Sequence, residues 1–329
     1  MKKILILSGK GGTGKTTVAA AFISIEKARA FADCDVDAPN LHLVTASLPE
    51  PELFDYYGMG VAVVDPDLCI GCGLCAQSCR FYAISMSADS VAVVDAPACE
   101  GCGLCERLCP VGAIKMEDNV AGRRMLYTIT GEPNKDGASS AGKRTVFSTA
   151  ELEMGSGTTG KLVSEVKKAL YDHADKDVPI AIIDGSPGIG CPVIASITGT
   201  DLVLLVAEPS MSGISDMKRI VETARFFDPQ IAVCVNKADT NEGKTEDIIR
   251  FCAQENLPFL GRIPFDSHVT GATNAGTSID RIDCPASTAI RAINDRVRDM
   301  VIGESPVNNA LNDRVRAMDI KDPSPAEDK

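Results

Sequence analysis

A glycine-rich loop near the start of the chain has the residue types that bind phosphate groups. Residues 9–17 read GKGGTGKTT, which satisfies G-x-x-x-x-G-K-[ST] directly after an apolar run. Glycines let successive backbone N–H groups point at phosphate oxygens, and the start of the following helix adds its positive dipole. In this pattern Lys15 neutralises the β- and γ-phosphates and the Thr16 hydroxyl binds Mg²⁺, whereas the alternative is a glycine-rich turn without a ligand. The expected nucleotide contacts are Gly11, Gly12, Thr13, Gly14, Lys15, Thr16 and Thr17.

Eight of the 13 cysteines form two runs with one spacing. Each run has the pattern C-x2-C-x2-C-x3-C, and the second follows the first with an offset of 30 residues. The runs are Cys69, Cys72, Cys75, Cys79 and Cys99, Cys102, Cys105, Cys109. The repeat extends beyond the cysteines, since FYAI at 81–84 corresponds to VGAI at 111–114. Tight turns at x2 spacing place three thiolates around one face of an iron–sulfur cubane, whereas a tetrahedral zinc site, the alternative, does not need them.

These runs resemble those of bacterial two-cluster ferredoxins, in which three cysteines of a run hold one [4Fe–4S] cluster and the fourth holds the other. The resemblance implies that Cys109 completes the first cluster and Cys79 the second. The implied ligand sets are Cys69, Cys72, Cys75 and Cys109, and Cys99, Cys102, Cys105 and Cys79. One departure is Arg80, which stands where the first run usually has proline, and its charge is expected to raise the potential of the cluster held by Cys79.

A second lysine in the glycine loop, Lys10, gives a pattern that resembles the deviant Walker A motif of the MinD, ParA and nitrogenase iron-protein group of P-loop ATPases. The resemblance implies that Lys10 reaches a phosphate at or across the interface of a nucleotide-sandwiched dimer and stabilises charge during phosphoryl transfer. It also implies that Asp35, in the acidic string DCDVD, belongs to switch I and orients the attacking water. The alternative for this string is a solvated turn.

The segment IIDGSPG at 182–188 resembles the Walker B strand and switch II of the same group. The resemblance implies that Asp184 holds the water shell of Mg²⁺ and that the Gly188 amide senses the γ-phosphate. Cys191 lies seven residues after Asp184, the offset at which the nitrogenase iron protein has a cluster-ligating cysteine. Two interpretations remain open for Cys191: a [4Fe–4S] cluster shared between two subunits, or a small buried thiol.

The resemblance also implies which residues contact the base. Asn236 and Lys237 follow an apolar strand and correspond to an adenine-contacting N-K element, and Pro264 and Asp266 fall in the loop that lines the base. Asp239 completes an N-K-x-D string of the kind that reads guanine in other proteins. Within this group such strings accompany ATP, so the expected ligands are ATP or ADP with Mg²⁺.

Short apolar strands alternate with amphipathic helices along most of the chain, a pattern typical of an α/β fold with a doubly wound, mostly parallel sheet. The cysteine runs interrupt this pattern. We therefore expect a discontinuous P-loop ATPase domain at 1–60 and 145–302, with an α+β ferredoxin-like insert carrying two [4Fe–4S] clusters at 61–120. Residues 121–144 are expected to form a flexible connection, and 303–329 a polar tail.

The chain has 329 residues and a formal net charge of -12, without a run of lysines or arginines. Such a charge disfavours phosphate backbones and anionic lipid headgroups, so we expect neither a nucleic-acid nor a membrane partner. No stretch of about 18 apolar residues occurs, and the apolar run at 4–7 is too short for a signal peptide, which indicates a cytoplasmic protein. Cysteines stay reduced in that compartment, so disulfides do not explain them.

Together the motifs resemble those of MinD-superfamily ATPases with an inserted ferredoxin domain. The resemblance implies Mg²⁺-dependent ATP hydrolysis coupled to low-potential electron transfer or to metal-cluster assembly and delivery. It further implies a homodimer, or a heterodimer with a paralogous ATPase, that works with a redox donor, an acceptor or a client protein. The alternative is a positioning or scaffold ATPase like MinD or ParA with redox-sensing clusters, and purely structural clusters are a third interpretation.

Overall fold

Most strands of the chain join one large central sheet. The computed structural model describes residues 1–45, 48–130, 143–153 and 158–303. The strands are β1 (Lys2–Leu7), β2 (Ala30–Asp33), β3 (Glu52–Tyr57), β4 (Val61–Val64), β5 (Ile84–Met86), β6 (Ala92–Val94), β7 (Ile114–Glu117), β8 (Val120–Thr130), β9 (Arg144–Leu152), β10 (Ile180–Asp184), β11 (Leu202–Ala207), β12 (Gln230–Asn236) and β13 (Phe259–Ile263). The helices are α1 (Lys15–Glu26), α2 (Leu74–Ser78), α3 (Leu104–Leu108), α4 (Thr159–His173), α5 (Cys191–Ile197), α6 (Met211–Arg225), α7 (Glu242–Gln254), α8 (Ser267–Asn274) and α9 (Pro285–Ile302).

The strand order of the central sheet is that of a doubly wound fold. Within the described residues the order is β13-β12-β11-β1-β10-β2-β9-β8-β3. Every neighbouring pair from β13 to β9 is parallel, and β1 lies between β10 and β11. The chain winds outward from β1 in both directions, which confirms the predicted α/β class. In such sheets the loops that bind ligands follow the carboxyl ends of the strands.

Both faces of the sheet are covered by helices, and strand β1 shows how the sequence dictates this. Leu5 and Leu7 belong to the buried cluster that includes α4, α6 and α7. Ile4 and Ile6 belong to the cluster that includes α1 and α9. Successive side chains of a strand point to opposite faces, so an uninterrupted apolar run requires a cover on each side. The sheet is therefore the middle layer of a three-layer domain.

The edge of the sheet beyond β9 is antiparallel. Strand β8 pairs antiparallel with both β9 and β3. A strand therefore occupies 121–130, where a flexible connection was expected, while residues 131–142 lie outside the described residues. The sequence pattern misled because Gly122, Arg123 and Arg124 interrupt the apolar run of β8, so it does not look like a buried strand. In the fold, the Arg124 guanidinium lies 5.2 Å from the centre of the Phe54 ring and pairs with Glu165.

The insert leaves the sheet between the end of β3 and the start of β8. Its strands form two antiparallel pairs, β4 with β7 and β5 with β6. Helices α2 and α3 each follow a glycine, Gly73 and Gly103, with φ of 71°. A small core of Ala62, Ile84 and Ile114 packs between the cysteines. The insert is thus an α+β module with an internal repeat, as the sequence predicts.

Helix α9 ends at Ile302, where Gly303 has a φ of 72° and caps it. The rest of the polar tail expected at 303–329 lies outside the described residues. Across the part of the chain that the structure describes, no helix is both long enough and apolar enough to cross a membrane.

Candidate functional site

The loop after β1 has a backbone that favours glycine at two positions. Gly12 and Gly14 have φ angles of 78° and 91°, in the left-handed region that disfavours side chains. A Cβ on Gly14 would lie 2.2 Å from the amide nitrogen of Asn236, which itself donates a hydrogen bond of 2.6 Å to the Thr13 carbonyl. Helix α1 begins at Lys15, directly after the loop. The loop and the helix start therefore form the arrangement that binds phosphate.

Lys15 lies where three parallel strands, β1, β10 and β2, end. Its Nζ donates a hydrogen bond of 2.6 Å to Asp184, the last residue of β10, and lies 4.0 Å from a carboxylate oxygen of Asp35. Burial disfavours the ammonium, but the carboxylates of Asp184 and Asp33 outweigh this effect and raise the pKa of Lys15. A positive charge is thus fixed beside the glycine loop at neutral pH.

Asp33, the last residue of β2, organises the acidic loop that follows it. Its carboxylate accepts hydrogen bonds from the backbone N–H groups of Asp35, Asn40 and Leu41. Burial and the neighbouring Asp184 carboxylate raise the pKa of Asp33 to about 7. Sequence analysis singled out Asp35 and missed Asp33. The available signal was its place at the end of a buried strand, where a carboxylate must find backbone donors.

Two buried polar atoms near the loop have no hydrogen-bond partner among the described residues: Thr13 Oγ1 and Asp184 Oδ2. A buried polar atom without a partner is costly, so both fit a site at which a ligand supplies the missing bonds. This oxygen of Asp184 would suit the water shell of a divalent cation. The Thr16 hydroxyl lies 3.5 Å from Lys15 Nζ, at the start of α1. These residues fit a nucleotide with Mg²⁺.

The two predicted switch loops meet beside the end of β1. The Ser186 hydroxyl donates a hydrogen bond to the Cys34 carbonyl, which joins the loop after β10 to the loop after β2. Gly188 has a φ of 99°, and its N–H donates a hydrogen bond of 3.2 Å to the Ser8 carbonyl. Burial, opposed by Lys15, raises the pKa of Asp35. The structure therefore brings the predicted switch residues together around the glycine loop.

The loop after β12 contacts the glycine loop from the other side. Asn236 binds the Thr13 carbonyl, and Lys237 Nζ donates a hydrogen bond of 3.1 Å to the Gly12 carbonyl. Lys237 has a φ of 54°, a strained conformation for a residue with a side chain. The predicted N-K element is thus held against the loop that is expected to bind phosphate.

The loop after β13 contains the residues predicted to line the base. Pro264 is half-buried and Phe265 is exposed. The Phe265 N–H donates a hydrogen bond of 2.6 Å to Asp239, which ties this loop to the N-K-x-D string. Asp266 caps α8, and its carboxylate also accepts a hydrogen bond from the Ala286 N–H at the start of α9. The Asp266 carboxylate therefore positions two helix starts.

Lys10, the extra lysine of the glycine loop, is held within its own chain. Its Nζ lies 2.7 Å from a carboxylate oxygen of Glu208, the residue after β11, and 3.3 Å from the Ser212 hydroxyl. The hydrogen bond from Lys10 lowers the pKa of Glu208. Sequence analysis did not single out Glu208, because β1 and β11 become neighbours only in the folded sheet.

The eight cysteines of the two runs gather around two cavities in the insert. One cavity has a volume of about 340 Å³, and the cysteines that line it are Cys69, Cys72, Cys75 and Cys109. The other has a volume of about 380 Å³, and the cysteines that line it are Cys75, Cys79, Cys99, Cys102 and Cys105. The last cysteine of each run thus joins the first three of the other run. Four convergent thiolates are a donor set that suits an iron–sulfur cluster.

The backbone after Cys109 favours its thiolate form. The Ala113 N–H donates a hydrogen bond of 3.2 Å to Cys109 Sγ. Burial opposes ionisation, but this N–H and those of Val111 and its neighbours outweigh it and lower the pKa of Cys109. The thiolate is the form that binds metal, so the turn prepares Cys109 as a ligand.

Cys191 is the first residue of α5, and its side chain is exposed. The interpretation of Cys191 as a small buried thiol is therefore wrong. The reason is that α5 begins at the surface, beyond the carboxyl end of the buried strand that contains Asp184. The other interpretation, a cluster shared between two subunits, stays an untested hypothesis.

The fold and these residues define the class of protein: a P-loop nucleotide-binding domain with a ferredoxin-like insert. Residues 62–116 match the family described as 4Fe-4S dicluster domain. This match covers both cysteine runs and both cavities. It therefore identifies the insert as an iron–sulfur domain.

Relatives cover almost the whole chain. MJ0578 of Methanocaldococcus jannaschii is 31% identical in an alignment of 305 residues that covers 91% of this chain and 97% of that protein. MJ0579 of the same organism is 27% identical in an alignment of 306 residues that covers 84% of this chain and 91% of that protein. The septum site-determining protein MinD of Pyrococcus horikoshii OT3, solved with Mg-ADP, has the same fold, with a TM-score of 0.50, 16% identity and coverage of 93% of this chain and 99% of that one. The chain belongs to the family of MJ0578, and it combines a P-loop domain of MinD-like fold with an inserted iron–sulfur domain.

Proposed function

We propose that this protein binds and hydrolyses ATP with Mg²⁺ and couples the resulting switch motions to low-potential electron transfer, or to the assembly and delivery of a metal cluster. In this function the insert holds two [4Fe–4S] clusters, and the ATPase domain forms a dimer. One observation carries it: the glycine loop and the start of the insert lie at the same edge of the sheet.

The register of the strands supports this placement. Strands β1 and β9 run in the same direction, so their carboxyl ends at Leu7 and Leu152 lie at one edge. Strand β8 begins at that edge, because Gly122 pairs with Leu152. Strand β3 ends there, because Tyr57 pairs with Val120. Four strand spacings, or about 19 Å, separate β1 from β8.

The residues around the glycine loop have distinct parts in phosphoryl transfer. Lys15 carries a positive charge next to the loop and neutralises phosphate oxygens. Thr16 binds Mg²⁺, and Asp184 binds its water molecules. Asp35, 4.0 Å from Lys15, orients the attacking water. Lys10 stabilises charge on the nucleotide at the dimer interface, as an arginine finger does in other P-loop proteins.

The two cysteine sets hold the clusters, which supply one-electron chemistry at low potential when bound. The chain itself tunes these centres through backbone and side-chain groups near the sulfurs. The Ala113 N–H donates to Cys109 Sγ, and Arg80 follows Cys79 directly. Hydrogen bonds and positive charge near sulfur favour the reduced cluster. Each cluster therefore has one group that is expected to raise its potential, the Ala113 N–H at the cluster of Cys109 and Arg80 at the cluster of Cys79.

Two kinds of partner follow from this function. The first is a second ATPase subunit, either a copy of this chain or a paralogue, and the two relatives in Methanocaldococcus jannaschii support a paralogue as one choice. The second is a redox donor, an acceptor or a client that receives a cluster. We also propose a cytoplasmic location, because thiolate ligands require a reducing compartment.

We favour ATP over GTP as the nucleotide. The Asp239 carboxylate, which would read guanine in an N-K-x-D protein, accepts the Phe265 N–H instead. The same bond shapes the loop expected to line the base. Competition of ATP and GTP for the purified protein tests this preference directly.

The proposed coupling is tested by EPR-monitored redox titration of the anaerobically reconstituted protein, with and without MgATP. The expected result is two [4Fe–4S] signals, at least one of which shifts to lower potential with nucleotide. A Lys15→Ala variant serves as the control, because it lacks the phosphate-binding ammonium and should show no shift. Equal potentials with and without MgATP in the wild type would count against coupling and favour a scaffold ATPase with redox-sensing clusters.

A further inference from the structure

Helix α4 lies between α5, which follows switch II, and the segment that leads into the insert, and it contacts both. We infer that α4 transmits the position of switch II to the root of the insert, defined as residues 56–60, and through it to the cavity lined by Cys99, Cys102 and Cys105. This inference rests on the proposed function, because it supplies the route for the proposed coupling.

The N-terminal end of α4 holds the root. Tyr56 is 1% exposed, and its hydroxyl donates a hydrogen bond of 3.1 Å to the Thr158 carbonyl. Lys161 Nζ donates a hydrogen bond of 3.1 Å to the Tyr57 carbonyl and lies 5.5 Å from the centre of the Tyr56 ring. A Cβ on Gly58 would lie 2.9 Å from Thr158 Oγ1. Because these contacts are close, a displacement of α4 also displaces the root.

Helix α4 also holds α5, which continues directly from switch II. Lys167 of α4 is 4% exposed, and its Nζ donates hydrogen bonds of 2.9, 2.6 and 2.7 Å to three carbonyls at the C-terminal end of α5, those of Ala195, Ser196 and Thr198. At the other end of α5, a Cβ on Gly160 would lie 3.2 Å from Cys191 Cβ. A buried ammonium is costly without its partners, so α5 and α4 move as one unit.

The root abuts the second cysteine run. A Cβ on Gly101 would lie 2.5 Å from both Met59 Cβ and the Gly60 carbonyl oxygen. Gly101 belongs to the first turn of that run and has a φ of 65°, so this turn has a fixed shape. The equivalent Gly71 of the first run packs against Ser90, which is part of the insert itself. The cavity of the second run is thus beside the root.

Because the second cysteine run abuts the root and the first run packs against Ser90 instead, we expect the two clusters to respond differently to nucleotide. A nucleotide-driven movement of switch II displaces α5, then α4, then the root and the first turn of the second cysteine run. The cluster at the Cys99 cavity therefore responds to nucleotide more strongly than the cluster at the Cys69 cavity.

The test uses the full chain with both clusters assembled. Tyr56→Phe removes the hydroxyl that binds the Thr158 carbonyl, and Lys161→Met removes the ammonium but keeps an unbranched side chain of similar length. The two substitutions are combined. Lys168→Met is the matched control, since Lys168 lies on the same helix with an exposed side chain.

Two measurements are made with MgADP and with a slowly hydrolysed ATP analogue. Amide hydrogen exchange follows residues 56–60 and 99–103, and EPR titration follows the potentials of both clusters, assigned with a Cys99→Ser variant. In the wild type and in Lys168→Met, we expect both segments and the Cys99-cavity cluster to respond to the change of nucleotide. The double variant should lose about half or more of each response, with nucleotide affinity changed by less than about twofold.

A double variant with the full wild-type response would overturn the inference, and so would a wild-type root that is insensitive to nucleotide. A larger shift at the Cys69 cavity than at the Cys99 cavity would also overturn it. If both segments respond in exchange but neither potential shifts, α4 still transmits the movement to the root and to residues 99–103, whereas the coupling to cluster potential, and with it the proposed function, fails. Should the double variant not assemble its clusters, Lys161→Met alone is judged by the same outcomes.

Discussion

Lys10 and Glu208 form an ion pair of 2.7 Å inside one chain. The same carboxylate lies 3.5 Å from Lys237, which also binds the glycine loop. In a dimer that uses Lys10 at the shared interface, Lys10 must first leave Glu208. The ion pair therefore disfavours the dimer in which Lys10 acts at the shared interface, which is the state that the proposed function requires for hydrolysis.

Glu208→Gln should release Lys10 and raise the ATPase rate at protein concentrations where dimers are scarce. A partly exposed ion pair is worth about 0.5 to 1 kcal/mol, so the expected rise is about two- to fivefold. Steady-state hydrolysis measured against protein concentration checks this. Glu222→Gln on the exposed face of α6 is the control. Identical curves for Glu208→Gln and wild type would mean that Glu208 does not restrain Lys10.

Gly14→Ala should weaken nucleotide binding without unfolding the sheet. The alanine methyl would meet the Asn236 side chain in a backbone conformation with φ of 91°. Strain of this kind costs about 1 to 3 kcal/mol, so nucleotide affinity should fall by about fivefold or more. Calorimetric titration with MgADP measures the loss. Gly243→Ala adds the same methyl in α7 at ordinary contact distance and should bind normally; equal affinity in Gly14→Ala would contradict the prediction.

The nucleotide-free protein should lose stability as pH rises from about 5.5 to about 7.5. Burial and Asp184 raise the pKa of Asp33 to about 7, whereas the unfolded chain ionises it near the ordinary carboxyl value. Between these values the folded state binds more protons than the unfolded state, so raising the pH favours unfolding. A loss of about 1 kcal/mol lowers the Tm by about 2 to 4 °C. Thermal unfolding at several pH values should show this slope in the wild type and a flatter profile in Asp33→Asn; equal slopes would exclude Asp33 as the cause.

Removal of Cys109 should damage the cluster at the Cys69 cavity and spare the other. The wild type is expected to bind about eight iron atoms per chain, and Cys109→Ser should lose about one to four of them. Iron analysis together with EPR distinguishes a missing cluster from a three-iron cluster. Cys252→Ala, in the buried face of α7, is the control and should keep all the iron. A Cys109→Ser protein with two intact cubanes would contradict the ligand assignment.

Cys191→Ser tests whether two subunits share a further cluster. The exposed position of Cys191 at the start of α5 permits such a contact, but a four-cysteine cluster shared by two identical subunits needs a second cysteine from each. We therefore expect unchanged iron per dimer in the variant. A loss of about four iron atoms per dimer, with the insert clusters intact, would instead establish a bridging cluster.

The sequence by itself determined the class of fold and the chemistry of both sites. The glycine loop and the cysteine runs are short motifs whose members lie within about ten residues of one another. Local turns bring such residues together, so their spacing already predicts what they bind. The insert was recognisable for the same reason, since its repeat interrupts the alternation of strands and helices that runs through the rest of the chain.

Only the tertiary structure decided which distant residues surround these motifs. Glu208 reaches Lys10 because β11 lies beside β1, and Asp33 reaches Lys15 because β2 and β1 both flank β10. Strand β8 was missed because Gly122, Arg123 and Arg124 interrupt its apolar run, and its pairing with the distant β3 exists only in the folded sheet. The contacts of Tyr56 with Thr158 and of Lys161 with Tyr57 join residues about a hundred positions apart. Such contacts depend on strand order and helix packing, which leave no local spacing in the sequence to read.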